Sequence, residues 1–427
     1  MTRLLPLAFV LALVSGCGDD APPPTAAPPA STVKPVAQYQ REDWALPVSV
    51  AAAQPDLIRA PDGSLLLSWI EPQDKAHALK LARYVGGHWN DVREVARGDD
   101  WFVNWADTPH ITQTADGALW VHWLRKSAQA KYAYDVVLSR STDDGTTWSK
   151  PMPVNDDGTP TEHGFVSLWP AAHDRLGVAW LDGRNSAGGH DGHGGHASAG
   201  TGHAMAAMTL RTAVFDATLQ RHGERERDAM TCDCCQTDVA LTADGPLLVY
   251  RDRTPEEIRD IVAMRLDDAS TARRVHADEW KMPACPVNGP AVAARDREVL
   301  VGWYTAPAGE PQLKLARSTD SGDHFAAPLE LDRGQHVQGR MDAALDADAV
   351  WVLWLREDAQ GQSLWLARFA PDLSRELQRH EVAKLQGRGR GTGFARLALV
   401  DGVAHVVWTD VIDQRPRLSG ARFGKSP

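Results

Sequence analysis

Seven stretches of the 427-residue chain repeat one pattern, a tight turn followed by alternating apolar residues and a late aromatic. They are PDGSLLLSW ending at Trp69, ADGALWVHW at Trp123, DRLGVAW at Trp180, ADGPLLVY at Tyr250, REVLVGW at Trp303, ADAVWVLW at Trp354 and VDGVAHVVW at Trp408. Successive anchors lie 54, 57, 70, 53, 51 and 54 residues apart. Period-two alternation marks half-buried strands, and a repeat of about 50 residues built from them buries its faces by packing against copies of itself. In the second repeat the four strands read HITQT, ALWVHWLR, YDVVLSRS and SKPMPV. The spacing therefore predicts an all-β fold, a β-propeller of seven four-stranded blades over residues 41–427, with six blades as the alternative if one anchor is spurious. The last repeat runs out after its third strand, and WALPVSV (44–50) is expected to supply the missing outer strand.

The segment ahead of the repeats is of another kind. Arg3 precedes an eleven-residue apolar run, Leu4 to Val14, too short to span a bilayer and followed by Val14-Ser15-Gly16-Cys17. This arrangement resembles a bacterial lipoprotein signal, which implies removal of residues 1–16 and lipidation of Cys17. Gly18 follows the cysteine in place of Asp, so the expected destination is the outer membrane, facing the periplasm. Residues 17–40 are rich in Pro and Ala and read as a semi-rigid tether. The formal net charge of −11 argues against nucleic acid as a partner.

Two turns carry a further signature. Ser141, Asp143, Gly145 and Trp148 in STDDGTTW, and Ser318, Asp320, Gly322 and Phe325 in STDSGDHF, match the pattern S-x-D-x-G-x-x-W/F. The match resembles the Asp-box (BNR) repeat of the sialidase superfamily. That resemblance implies a structural turn between third and fourth strands, on the face away from the active site. Sialidases themselves are six-bladed. PDLIRAPDGSLLLSWIE (55–71) is similar to the segment after the sialidase R-I-P motif, but Ala53 stands where its carboxylate-binding arginine belongs. The family's late tyrosine nucleophile also lacks a counterpart, since the last tyrosine is Tyr304 in the fifth repeat. Arg340 and Arg390 read as remnants of the arginine set, and Asp107, Asp233 and Asp342 as carboxylates available for acid–base work.

The residues just before each innermost strand of a propeller gather at one mouth, with the loops joining second and third strands. Here these segments concentrate Trp, Asn, His, Cys and Arg. Cys232, Cys234 and Cys235 precede the inner strand of the fourth repeat and Cys285 that of the fifth, which brings the four together. An oxidising compartment favours a disulfide from Cys285 to one of the three. The competing reading is a thiolate site for copper or zinc, helped by His163. An insert at 188–208 adds His190, His193, His196, His203, Met205 and Met208, donors suited to copper, on the same face.

The function expected from the sequence is binding or handling of a soft metal, copper first and zinc second, at the mouth of an envelope lipoprotein. The alternative is an exo-sialidase or related glycoside hydrolase acting on a glycan ligand, with Arg340, Asp342 and Arg390 at its site. A third possibility is a module that docks a protein partner.

Overall fold

The computed structural model describes residues 37–48, 51–186, 207–267 and 271–426. Its strands form seven antiparallel sheets, each running from an inner to an outer edge. The inner strands are Ala53–Arg59, Ile111–Gln113, His163–Ala172, Asp238–Thr242, Ala291–Arg295, Val337–Leu345 and Arg396–Val400. The seven-bladed expectation is met, and six blades are excluded. Blade one alone has a fifth strand, because His88–Trp89 and Arg93–Gly98 both pair with Ala76–Val85.

Ring closure differs from the expectation in its register. The outer strand of blade seven is Tyr39–Asp43, paired antiparallel with Arg415–Lys425, and not the 44–50 segment. The propeller accordingly begins at Ala37, ahead of residue 41. Only Tyr39 of the closing strand is buried. Its ring meets Trp351 edge-on at 4.9 Å, and Arg368 lies over it at 4.4 Å, so this residue fastens the strand across blades six and seven.

All seven anchor aromatics occupy second strands and are buried. Burying an indole or phenol requires a partner for its N–H or O–H. Trp69 donates to Glu71 and Trp180 to Asp182, each at 2.8 Å on the same strand. Tyr250, Trp303 and Trp354 donate to Asp228, Asp278 and Asp332 of the preceding blade, at 2.6, 2.7 and 2.9 Å. The anchors therefore join neighbouring sheets as well as filling the layer between them.

A second set of polar contacts runs around the axis. Asp56 Oδ2 accepts the Ile111 N–H at 2.9 Å, and Asp107 Oδ1 the Phe165 N–H at 2.8 Å. Ser167 and Thr237 share a hydroxyl hydrogen bond of 2.7 Å. Asp238 Oδ2 accepts the Val292 N–H and Asn288 Oδ1 the Arg340 N–H, both at 2.8 Å, and Asp342 Oδ2 accepts the Leu397 N–H at 2.7 Å. Arg396 returns to Asp56 at 3.6 Å. These seven contacts join each blade to the next and blade seven to blade one.

The two S-x-D-x-G turns fold alike, between third and fourth strands. Asp143 Oδ1 accepts the Thr147 N–H and Asp320 Oδ1 the His324 N–H, each at 2.9 Å. Ser141 and Ser318 hydroxyls accept the Gly145 and Gly322 N–H at 3.0 and 2.9 Å. Gly145 and Gly322 have φ of +79° and +89°, which a side chain would strain.

Candidate functional site

Among the described residues the mouth holds two clusters of metal-type ligands and the opening of an axial channel. The first cluster is built on the sharp turn between the outer strand of blade three and the inner strand of blade four. Cys232, Cys234 and Cys235 turn inward there, and their sulfurs all lie within 4.8 Å of one another. The closest pair, Cys232 and Cys235, is 2.9 Å apart, longer than the ~2.05 Å of a disulfide. Cys285, from the segment before blade five, adds a hydrogen bond to Cys234. The four cysteines thus meet as the repeat spacing requires, with no disulfide among them. The bridge expected from Cys285 is not formed. Met208 packs in the same buried cluster, with Tyr250, Met264 and Leu210 around it.

Two buried guanidinium groups face this cluster. Arg259 Nη1 lies 3.3 Å from Cys232 Sγ. Burial alone raises the Cys232 thiol, yet hydrogen bonds from Cys234 and Cys235 and the charges of Arg259 and Arg251 hold it well below its usual range. Burial and the neighbouring sulfurs push Cys234 and Cys235 upward. Cys232 is therefore the sulfur favoured to ionise, with arginine beside it. The arginines are themselves fixed. Arg251 donates to the carbonyls of Asn288, Arg259 and Tyr304 and stacks on Trp280 at 4.9 Å. Glu257 bridges Arg253 and Arg259 at 2.7 and 2.8 Å. Asp233 accepts the Met208 N–H and pairs with Arg253 at 2.9 Å, so it carries no free acid–base role.

His163 lies elsewhere than expected. Its ring meets Asp157 and Asp182, and this trio forms the second cluster, separate from the sulfurs. His190, His193, His196, His203 and Met205 lie outside the described residues, as does Cys17.

The axial channel has a volume of about 610 Å³ and is lined by Asp56, His110, Asp238, Asp342 and Arg396 among inner-strand residues. His110 stands between Asp56 and Arg396, at 3.2 and 3.3 Å. Burial pushes Asp238 up to about 7, helped by the charge of Asp342, and pushes Asp342 up to about 6 against the pull of Arg396. Burial would also raise Asp56, but His110, Arg396 and the Ile111 N–H bring it down to about 2. Carboxyls of different protonation therefore share one channel, although Asp56, Asp238 and Asp342 all serve as blade-to-blade acceptors.

The residues suggested by the sialidase resemblance are spread apart in role. Arg340, with φ +50°, donates to Gly389 O, Thr392 Oγ1 and Gly393 O at 3.0, 3.1 and 3.3 Å and stacks over Trp105 at 4.7 Å. Desolvation lowers it to about 10. It is committed to holding its loop. Arg390 is exposed, 5.7 Å from the Trp105 ring, which stacks on Phe394 at 5.9 Å. A tyrosine with a glutamate partner does exist, Tyr134 donating to Glu162 at 2.5 Å, but Tyr134 is 0% exposed and out of reach of any substrate. Asp107 beside it is buried, which pushes its carboxyl well above the usual range.

Sequence reasoning missed Asp157 as a site residue. Arg259 and Asp182 read as loop residues at the mouth, fit either for a ligand contact or for an inter-blade salt bridge, and nothing in the spacing shows that Arg259 reaches Cys232. No known protein family and no curated protein matches the sequence. Solved structures match its fold. A protein of unknown function from Dyadobacter fermentans DSM 18053 is 14% identical, with a TM-score of 0.51 over 88% of this chain and 95% of its own. Polysaccharide lyase Uly1 is 9% identical, with a TM-score of 0.54 over 90% and 92%. The Hadza microbial sialidase Hz136 is 16% identical, with a TM-score of 0.43 over 72% and 63%. What the Dyadobacter protein and the lyase share with this chain is the fold.

Proposed function

We propose that this chain binds a soft metal ion at the propeller mouth, copper as Cu(I) first and zinc second, as a lipid-anchored protein of the bacterial outer membrane. The observation that carries the reading is the convergence of Cys232, Cys234 and Cys235 to within 4.8 Å in a buried cradle. Thiolates are the ligands that select Cu(I) and zinc. Three thiolates around Cu(I) leave a net charge of about −2, which Arg251 and Arg259 offset; the two guanidiniums thus suit a thiolate complex better than three neutral thiols. The insert histidines and Met205 would add ligands at the same mouth. No reaction is required of such a protein, which would buffer, deliver or sense the ion.

The test is anaerobic titration of the reduced protein with Cu(I) against a chromophoric competitor. The reading expects one tightly held equivalent, lost when Cys232, Cys234 and Cys235 are replaced by Ser. Binding that survives this triple replacement contradicts it.

A second reading rests on a different observation. The channel is the size of a saccharide site, and it contains both a low and two raised carboxyls. Polysaccharide cleavage, in the manner suggested by the lyase and sialidase names among the fold neighbours, would act there. Loss of chain-cleaving activity on anionic polysaccharide in Asp342→Asn, with metal binding retained, would favour it.

A further inference from the structure

We infer a second metal site, for a borderline divalent cation with zinc the best fit, formed by His163 Nε2, Asp157 Oδ2 and Asp182 Oδ1. It is independent of the thiolate reading, since it shares no ligand with the cysteines and differs in donor chemistry.

The ring of His163 is 0% exposed. Its Nδ1 lies 3.1 Å from the carbonyl oxygen of Tyr134. A carbonyl only accepts, so Nδ1 carries a proton, and an Nε2 without a proton presents its lone pair to the two aspartates. That Nε2 is buried without a hydrogen-bond partner. It points at two more lone-pair bearers, Asp157 Oδ2 at 3.0 Å and Asp182 Oδ1 at 3.7 Å. A cation between them turns this mutual repulsion into ligation. A histidine that donates its other N–H to a backbone carbonyl is the usual arrangement of a metal ligand, because the contact fixes both tautomer and ring orientation.

Geometry and charge agree. A tetrahedral ion with bonds of about 2.1 Å separates neighbouring donors by roughly 3.4 Å, and the two distances from Nε2 fall on either side of that value. The charged groups around the trio are Asp135, 3.6 Å from His163 Nδ1, Arg184 and Glu224. Glu224 is neutralised by Arg211 and Arg221, at 2.8 and 2.9 Å. Among the described residues Asp135, Asp157 and Asp182 are then opposed by Arg184, which leaves about two negative charges around the imidazole. Arg184 takes the outer edge of Asp182, Nη2 to Oδ2 at 2.7 Å, and its Nε reaches Oδ1 at 2.8 Å, a contact that a bound ion would loosen. It stays 3.6 Å from Asp157 Oδ2, too far for a hydrogen bond. Among the described residues Asn155 Nδ2 donates to that oxygen at 3.4 Å.

Cobalt(II) replaces zinc in both kinds of site and reports its ligands by absorbance, which separates the two in one protein. Titration of the reduced full chain with Co²⁺ is expected to show an equivalent with d–d bands and no sulfur-to-cobalt charge transfer. In Asp157→Asn and in His163→Gln its affinity should fall about 100-fold or more, while any thiolate-bound equivalent and the unfolding midpoint of Asp157→Asn stay as in the native protein. Failure of the thiolate reading removes only the charge-transfer equivalent and leaves this one in place. The inference is overturned if all bound cobalt shows thiolate charge transfer, if neither substitution weakens the nitrogen–oxygen equivalent, or if His163 proves to be an imidazolium by NMR in protein that takes up no such ion.

Discussion

Replacing Arg259 by Met tests whether its guanidinium makes Cys232 the ionised member of the thiol cluster. The two groups are 3.3 Å apart, and both are buried, with Arg259 3% and Cys232 1% exposed. A hydrogen bond to a charged partner is worth about 1.5–3 kcal/mol. One pKa unit corresponds to about 1.4 kcal/mol, so removing the contact should raise the thiol by about 1 to 2 units. Met preserves most of the buried volume, and Glu257 keeps its second partner, Arg253, at 2.7 Å. The assay is thiolate absorbance of reduced, metal-free protein as a function of pH. Native protein should retain about one thiolate equivalent below the ordinary thiol value of about 8.5, and the variant should lose it at a pH about 1 to 2 units higher. The shift also fixes a sign for stability. A folded value below the unfolded one means that ionisation stabilises the fold above the unfolded thiol value, and that this contribution disappears as pH falls through the folded value. The reasoning is refuted if all native thiols titrate at or above about 8.5, or if the variant's midpoint does not move.

Further predictions concern closure and the axial ring. Tyr39→Ala removes the residue that fastens the closing strand and should destabilise the propeller by about 3–4 kcal/mol in urea unfolding. Asp342→Ala leaves the Leu397 and Ala343 N–H groups without their acceptor and should cost about 1–3 kcal/mol, whereas Asp342→Asn, which keeps a carbonyl oxygen, should cost less. Asp238, raised to about 7, favours the fold in its protonated form, so its contribution is complete below the unfolded value near 4 and is lost as pH rises towards 7. The melting temperature of native protein, measured against Asp238→Asn, should therefore decline between pH 5 and pH 8; a constant difference would contradict this.

What the sequence showed and what it hid divide along physical lines. Blade number was legible because the anchor aromatics must be buried once per blade, and burial enforces a period that survives divergence of everything else. The closing strand was misplaced because YQRED buries one residue of five and so has no apolar alternation to read, while the more apolar WALPVSV nearby attracted the assignment. Convergence of the cysteines followed from repeat spacing alone. The surroundings of His163 did not, since Asp157 comes from a connecting loop and Asp182 from the end of a second strand, and only the folded blade superimposes them. Asp107 and Asp342 were read as candidate acids; their N–H partners on the next blade, Phe165 and Leu397, reveal a structural task that no single repeat displays.

The proposed soft-metal site in the cysteine cluster can be read from native protein by metal content together with thiol titration, on material isolated from the cell envelope without chelators or His-affinity steps. A loaded site gives close to one equivalent of copper or zinc per chain, with Cys232, Cys234 and Cys235 protected from alkylation until the metal is removed, and neither feature in the triple Ser variant. Protein that carries no metal, and whose cysteines are either freely alkylated or already joined in disulfides, would contradict it.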